Sequence, residues 1–127
     1  MSIKIYFTVV LNEELPYDPR DNYSGKFNLF YIRKGEKLRK NSKTLSKYNL
    51  ISFNNVATFE KEIKEDIVQK NLEAIFEYLK KNEILGERTI RISLLPDLDQ
   101  FGIDISNSFL NFLVKNNCSL TLSGIFL

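Results

Sequence analysis

The apolar residues Phe59, Ile63, Ile67, Val68, Leu72, Ile75, Phe76 and Leu79 recur at steps of three and four. That is the period of one helix face, and it runs for about six turns. A helix with a single apolar face has to bury it against another layer. Thr58 is placed to cap it, Glu60 and Glu62 suit its first turn, and Lys80, Lys81 and Gly86 suit its end.

The segments on either side supply the second layer. Ile3, Ile5, Phe7 and Val9 alternate with Lys4, Tyr6, Thr8 and Val10, the period-two pattern of a half-buried strand. Val10 and Leu11 make its end apolar on both sides, which predicts a central position. Residues 27–32, 48–53, 89–95 and 119–127 read as four more strands. In the first of these, Phe27, Leu29 and Tyr31 face one way and Phe30 and Ile32 the other. Asn54 and Asn55 carry turn chemistry and are expected to close the strand before them. Ser106 predicts the start of a second helix carrying Phe109, Leu110, Phe112, Leu113 and Val114. Pro16, Pro19 and Gly25 make 12–26 a loop with room for no more than one helical turn.

The expected architecture is one α+β domain over 1–127, in the order β-β-β-α-β-α-β. A mainly antiparallel five-stranded sheet would carry two helices packed on one face, a ferredoxin-like variant in which the 12–26 loop replaces a first helix.

The residue types restrict the chemistry. There is no His, which removes His-based acid–base catalysis, Ser–His and Cys–His pairs and His-ligated zinc. Cys118 is the single cysteine, so no disulfide closes within the chain, and it reads as a small core residue. Asp97, Asp99 and Asp104 lack the ligand spacing of a calcium loop. Glu13, Glu14, Asp18 and Asp21 are carboxylates without a defined separation. No glycine-rich phosphate loop and no Gly-x-Ser-x-Gly elbow occurs. The expectation is a protein with no catalytic residues, no metal and no cofactor. No apolar stretch is long enough for a membrane span, and the alternating N-terminus does not read as a signal peptide, so the cytoplasm is the expected compartment.

Charge is unevenly placed. Residues 20–47 hold nine Lys or Arg against Asp21 and Glu36, a net of +7 in a chain of net +2, so the other 99 residues carry −5. Arg33, Lys34, Lys37, Arg39, Lys40 and Lys43 are the candidate partner-binding residues. Three readings stay open: a solvated hairpin loop, a surface that engages an acidic protein, and a site for nucleic-acid phosphates with Tyr31 and Tyr48 stacking on bases.

The runs Phe101-Gly102-Ile103-Asp104-Ile105-Ser106, Phe109-Leu110 with Phe112-Leu113, and Ser119-Leu120-Thr121-Leu122-Ser123, with a turn at Lys34-Gly35-Glu36, resemble a family of small bacterial α+β domains of unknown function. Some of its members look like immunity proteins encoded beside bacterial toxins. The resemblance implies a cognate toxin as partner, and it implies a short helix after the first strand, where this chain instead has Pro16 and Pro19.

Overall fold

The computed structural model describes residues 2–58, 64–95 and 105–124. In chain order these form β1 (Ser2–Leu11), a 3-10 turn (Pro19–Asn22), β2 (Asn28–Ile32), β3 (Asn49–Thr58), α1 (Glu65–Lys81), β4 (Gly86–Leu95), α2 (Asn107–Lys115) and β5 (Cys118–Gly124). The strands make one five-stranded sheet in the order β2-β3-β1-β4-β5, with β1 at its centre.

β1 runs antiparallel to both β3 and β4, and β2 runs antiparallel to β3, but β4 and β5 are parallel. The sheet is therefore mixed and not wholly antiparallel. The cause is α2, a crossover that returns the chain along the direction of β4. β3 and β4 both oppose β1, so they are parallel to each other, and α1 is a second crossover spanning the central strand.

The alternation in β1 decides which face is buried. Ile3, Ile5, Phe7, Val9 and Leu11 are all buried. The register sets Phe7 between Phe53 and Ile90, and Val9 beside Ile51. Onto this face α1 lays Val68, Leu72, Ile75, Phe76 and Leu79, and α2 lays Phe109 and Leu113. Phe76 joins the layers, its ring 5.4 Å from Phe7 and 5.6 Å from Phe112. Ring pairs of this kind add about 0.5–1.5 kcal/mol each beyond the area they bury.

Several expectations are corrected. Thr58 is the last residue of β3, paired with Ser2, and the N-cap position of α1 is held by Lys64. Asn54 and Asn55 lie inside β3, opposite Tyr6 and Ile5. A ten-residue β1 offers backbone partners along its whole length, and that ladder overrides the local turn preference of asparagine. Tyr48 precedes β3. α1 begins at Glu65, and the expected first turns at 59–63 lie outside the described residues. Ile67 falls off the buried stripe and is exposed.

The 12–26 segment is pinned by hydrogen bonds and ring contacts. Asp18 caps the 3-10 turn, its carboxylate accepting from the Arg20 backbone N–H at 3.0 Å and from the Arg20 guanidinium at 2.9 and 2.6 Å. Those bonds to Arg20 hold the Asp18 carboxyl down at about 2. The Tyr78 hydroxyl of α1 donates to the Pro19 carbonyl at 2.6 Å, and Tyr17 donates to the Asn82 carbonyl at 3.1 Å. The Tyr23 ring meets Tyr78 at 5.2 Å and Phe53 at 5.4 Å.

Candidate functional site

Between β2 and β3 the chain leaves the sheet as an arm, residues 33–48. Its base is a turn in which the Glu36 N–H donates to the Arg33 carbonyl at 3.0 Å. Gly35 stands at φ +90°, the third-position geometry of a type II turn, which glycine adopts without strain. The Glu36 carboxylate accepts from the Arg33 N–H at 2.9 Å and fastens the same turn.

Beyond the turn the two limbs pair. Gly35 N–H donates to the Ser46 carbonyl (2.9 Å), Ser46 N–H to the Glu36 carbonyl (2.7 Å) and Leu38 N–H to the Thr44 carbonyl (3.1 Å). Lys37 and Leu45 form an antiparallel bridge. At the tip, Ser42 N–H donates to the Arg39 carbonyl at 3.1 Å. Ser46 is buried at the root, its hydroxyl donating to the Tyr48 carbonyl at 2.6 Å. Lys34 N–H donates to the Asn49 side-chain oxygen at 2.8 Å. The arm is a short hairpin with a defined path.

The structure separates the six candidate cations into two kinds. Arg33 is committed at the base: its guanidinium is 2.8 Å from Glu14 and 3.7 Å from Glu36, and it lies over the Tyr31 ring at 5.1 Å. Lys34, Lys37, Arg39, Lys40 and Lys43 are exposed and form no ion pair with any described residue. Lys47 belongs with them and was outside the candidate set.

Three apolar side chains share the arm. Leu38 and Leu45 are exposed, and Tyr48 is 59% exposed. Composition gave little hint of the leucines, because single apolar residues in a run of Lys, Arg, Ser and Asn show no period. A shallow recess of about 470 Å³ opens at the tip beside Leu38, Arg39 and Thr44. Tyr31 is not available for stacking on a base: it is buried, and its oxygen accepts from the Leu15 N–H at 3.2 Å.

Elsewhere the structure places the residues weighed for chemistry as follows. Glu14 pairs with Arg33 and Asp18 with Arg20. Cys118 is buried, and burial pushes its thiol up to about 11, so the nucleophilic thiolate is disfavoured. Asp97, Asp99 and Asp104 lie outside the described residues. Among the described residues no group of three His, Cys, Asp or Glu is placed to hold a metal ion. No described helix is long and apolar enough to cross a membrane.

Two grooves flank α1. One, of about 690 Å³, lies against 22–27 and is lined by Lys26, Asn71, Tyr78 and Lys81. The other, of about 700 Å³, lies between α1 and α2 and is lined by Phe76, Ile84 and Phe112 with Arg88. Arg88 rests over the Phe76 ring at 5.4 Å and donates to the Asn116 carbonyl at 3.3 Å.

Compared with family models, with curated proteins and with solved structures, the chain matches none.

Proposed function

We propose that this chain is a non-catalytic binding protein whose basic arm seats on an acidic protein surface, in the manner of a bacterial immunity protein that occludes a cognate toxin. The observation that carries the reading is the make-up of the arm. Cations that form no ion pair with any described residue frame exposed Leu38, Leu45 and Tyr48 on a hydrogen-bonded hairpin. Protein interfaces combine an apolar centre with a polar rim in this way. Charge placed on a protruding rim speeds encounter with an opposite surface and fixes its register. Internal bonding of the arm lowers the ordering cost on binding.

The toxin partner comes from the family resemblance, and the arm supports the acidic character of its contact surface. Pull-down with the product of the neighbouring gene tests it. Capture by the wild-type chain, lost in the Lys37→Ala, Arg39→Ala, Lys40→Ala triple variant, is the expected result. No capture at micromolar concentration removes it.

A nucleic-acid-binding regulator is the second reading, favoured by exposed Tyr48 next to Lys47. It requires binding to RNA or DNA with a salt slope that flattens in the same triple variant. Binding that is insensitive to salt removes that reading.

We also read the first four strands as a ferredoxin-like variant. The support is their order, β2-β3-β1-β4, with α1 crossing over β1 and the pinned 12–26 segment where a first helix would lie.

A further inference from the structure

β4 carries a charge where its pattern calls for an apolar residue. Ile90 and Ile92 are buried beneath the helices, and alternation along the strand puts Arg88 on the same side. The register agrees: Arg88 stands opposite Val9 on one flank and Cys118 on the other, both buried. Arginine taken out of water in this way is ordinarily paired. Arg88 is half-buried, yet it forms no ion pair with any described residue.

Two contacts hold the guanidinium in place. It rests over the Phe76 ring at 5.4 Å, and one N–H donates at 3.3 Å to the carbonyl of Asn116, the C-cap of α2. That bond complements the negative end of the helix and uses one of about five guanidinium donors. The rest meet no acceptor among the described residues. Arg88 lines the groove of about 700 Å³ between α1 and α2, together with Phe76, Ile84 and Phe112. Leu85 lines it as well and is 74% exposed. An apolar hollow of this size with a single half-buried charge has the make-up of a small-ligand site.

We propose that this groove binds a small apolar monocarboxylate, an aliphatic acid whose carboxylate pairs with Arg88 and whose chain lies on Phe76, Ile84, Phe112 and Leu85. Charge selects the head group. A planar guanidinium matches a carboxylate, which accepts two of its N–H groups at once. The other charges of the groove are Glu73, Glu77, Glu83 and Lys80, all exposed. Three carboxylates against one ammonium repel a dianion, such as a phosphate monoester, about twice as strongly as a monoanion. The apolar lining selects the body of the ligand, since a hydrocarbon chain gains by leaving water for these side chains. The groove is made by α1, β4, α2 and the turn between α1 and β4, and it contains no residue of the arm. The proposal therefore does not rest on the reading of the arm.

Calorimetric titration of the whole chain with decanoate, below its micelle-forming concentration, tests it. The expected result is one saturable site per chain. Octanoate, shorter by two methylenes, binds about 15-fold more weakly. Decanol, which has the chain without the charge, binds at least tenfold more weakly than decanoate, and decyl phosphate at pH 8 also binds more weakly. Arg88→Gln brings decanoate down to the affinity of decanol and leaves decanol unchanged. Glu73→Gln with Glu83→Gln, both at exposed positions, tightens decanoate. Leu85→Asp, at a position exposed enough to leave the circular-dichroism spectrum unchanged, weakens decanoate at least tenfold, so the test stands even if Arg88→Gln does not fold. No saturable binding of decanoate overturns the proposal. So does decanol binding as tightly as decanoate, decyl phosphate binding more tightly, or decanoate affinity that Leu85→Asp leaves unchanged.

Discussion

Gly35→Ala isolates what holds the arm in its path. Gly35 has φ +90°, and a Cβ built there meets nothing within 4 Å. The substitution therefore adds no clash, and its cost is that of a left-handed backbone for an L-residue, about 1–2 kcal/mol. The arm contributes one buried residue, Ser46, and none of the apolar core, so the cost falls on the arm's own closed state. A free-energy loss of that size multiplies the open population about 5–30-fold. The amides that report it are Leu38, donating to the Thr44 carbonyl, and Ser46, donating to the Glu36 carbonyl. Residue-resolved hydrogen exchange should find both faster by that factor, with the amides of β1 unchanged. Unaltered exchange at Leu38 and Ser46 would refute the argument that the Arg33–Glu36 turn orders the hairpin. A fall of many degrees in global melting temperature would refute the separation of arm from core.

Three further outcomes follow from the contacts outside the arm. Tyr78→Phe keeps the ring contacts but strands the Pro19 carbonyl. It should cost about 1–2 kcal/mol, read as roughly 4–8 °C in thermal unfolding. Burial raises the Tyr78 hydroxyl from 10.0 to about 12, so wild-type stability holds below pH 10 and declines as pH rises towards 12, and Tyr78→Phe should flatten that decline. The Asp18 carboxyl is lowered from 3.8 to about 2, so its contribution is present above the higher value and lost as pH falls through the lower; Asp18→Asn should remove that part of the acid dependence in urea titrations run across this window. Ser106 caps α2, accepting from the Phe109 N–H at 3.1 Å and donating to Glu65 at 3.0 Å, so Ser106→Ala should lower stability by about 1 kcal/mol in the same titration.

Periodicity carried most of the fold into view. Ile3, Ile5, Phe7 and Val9 are buried as their alternation requires, and the stripe Val68, Leu72, Ile75, Phe76 and Leu79 faces the sheet. Ser106 caps α2 because serine before an apolar run satisfies orphan helix N–H groups. Boundaries were hidden where tertiary pairing overrides local preference. Asn54, Asn55 and Thr58 look like turn and cap residues, yet a long β1 draws them into its ladder. The parallel β4–β5 pair was hidden as well, since strand direction depends on where α2 crosses and not on the residues of β5. At the site, the charge run marked the arm. Its inner partners were not visible: Glu14 lies 19 residues from Arg33, and no local pattern joins them. Leu38 and Leu45 carry no period that would have announced their exposure.

The central claim is that the arm recognises an acidic protein surface. Association kinetics with the product of the neighbouring gene, measured from low to physiological ionic strength, test it most directly. The wild-type chain should associate fast at low salt and slow steeply as screening shortens the reach of charge to about 8 Å. Lys37→Glu with Arg39→Glu and Lys40→Glu should lower the association rate at low salt at least tenfold and flatten its salt dependence, with melting temperature unchanged. Equal association rates for the two chains at low salt would contradict the account.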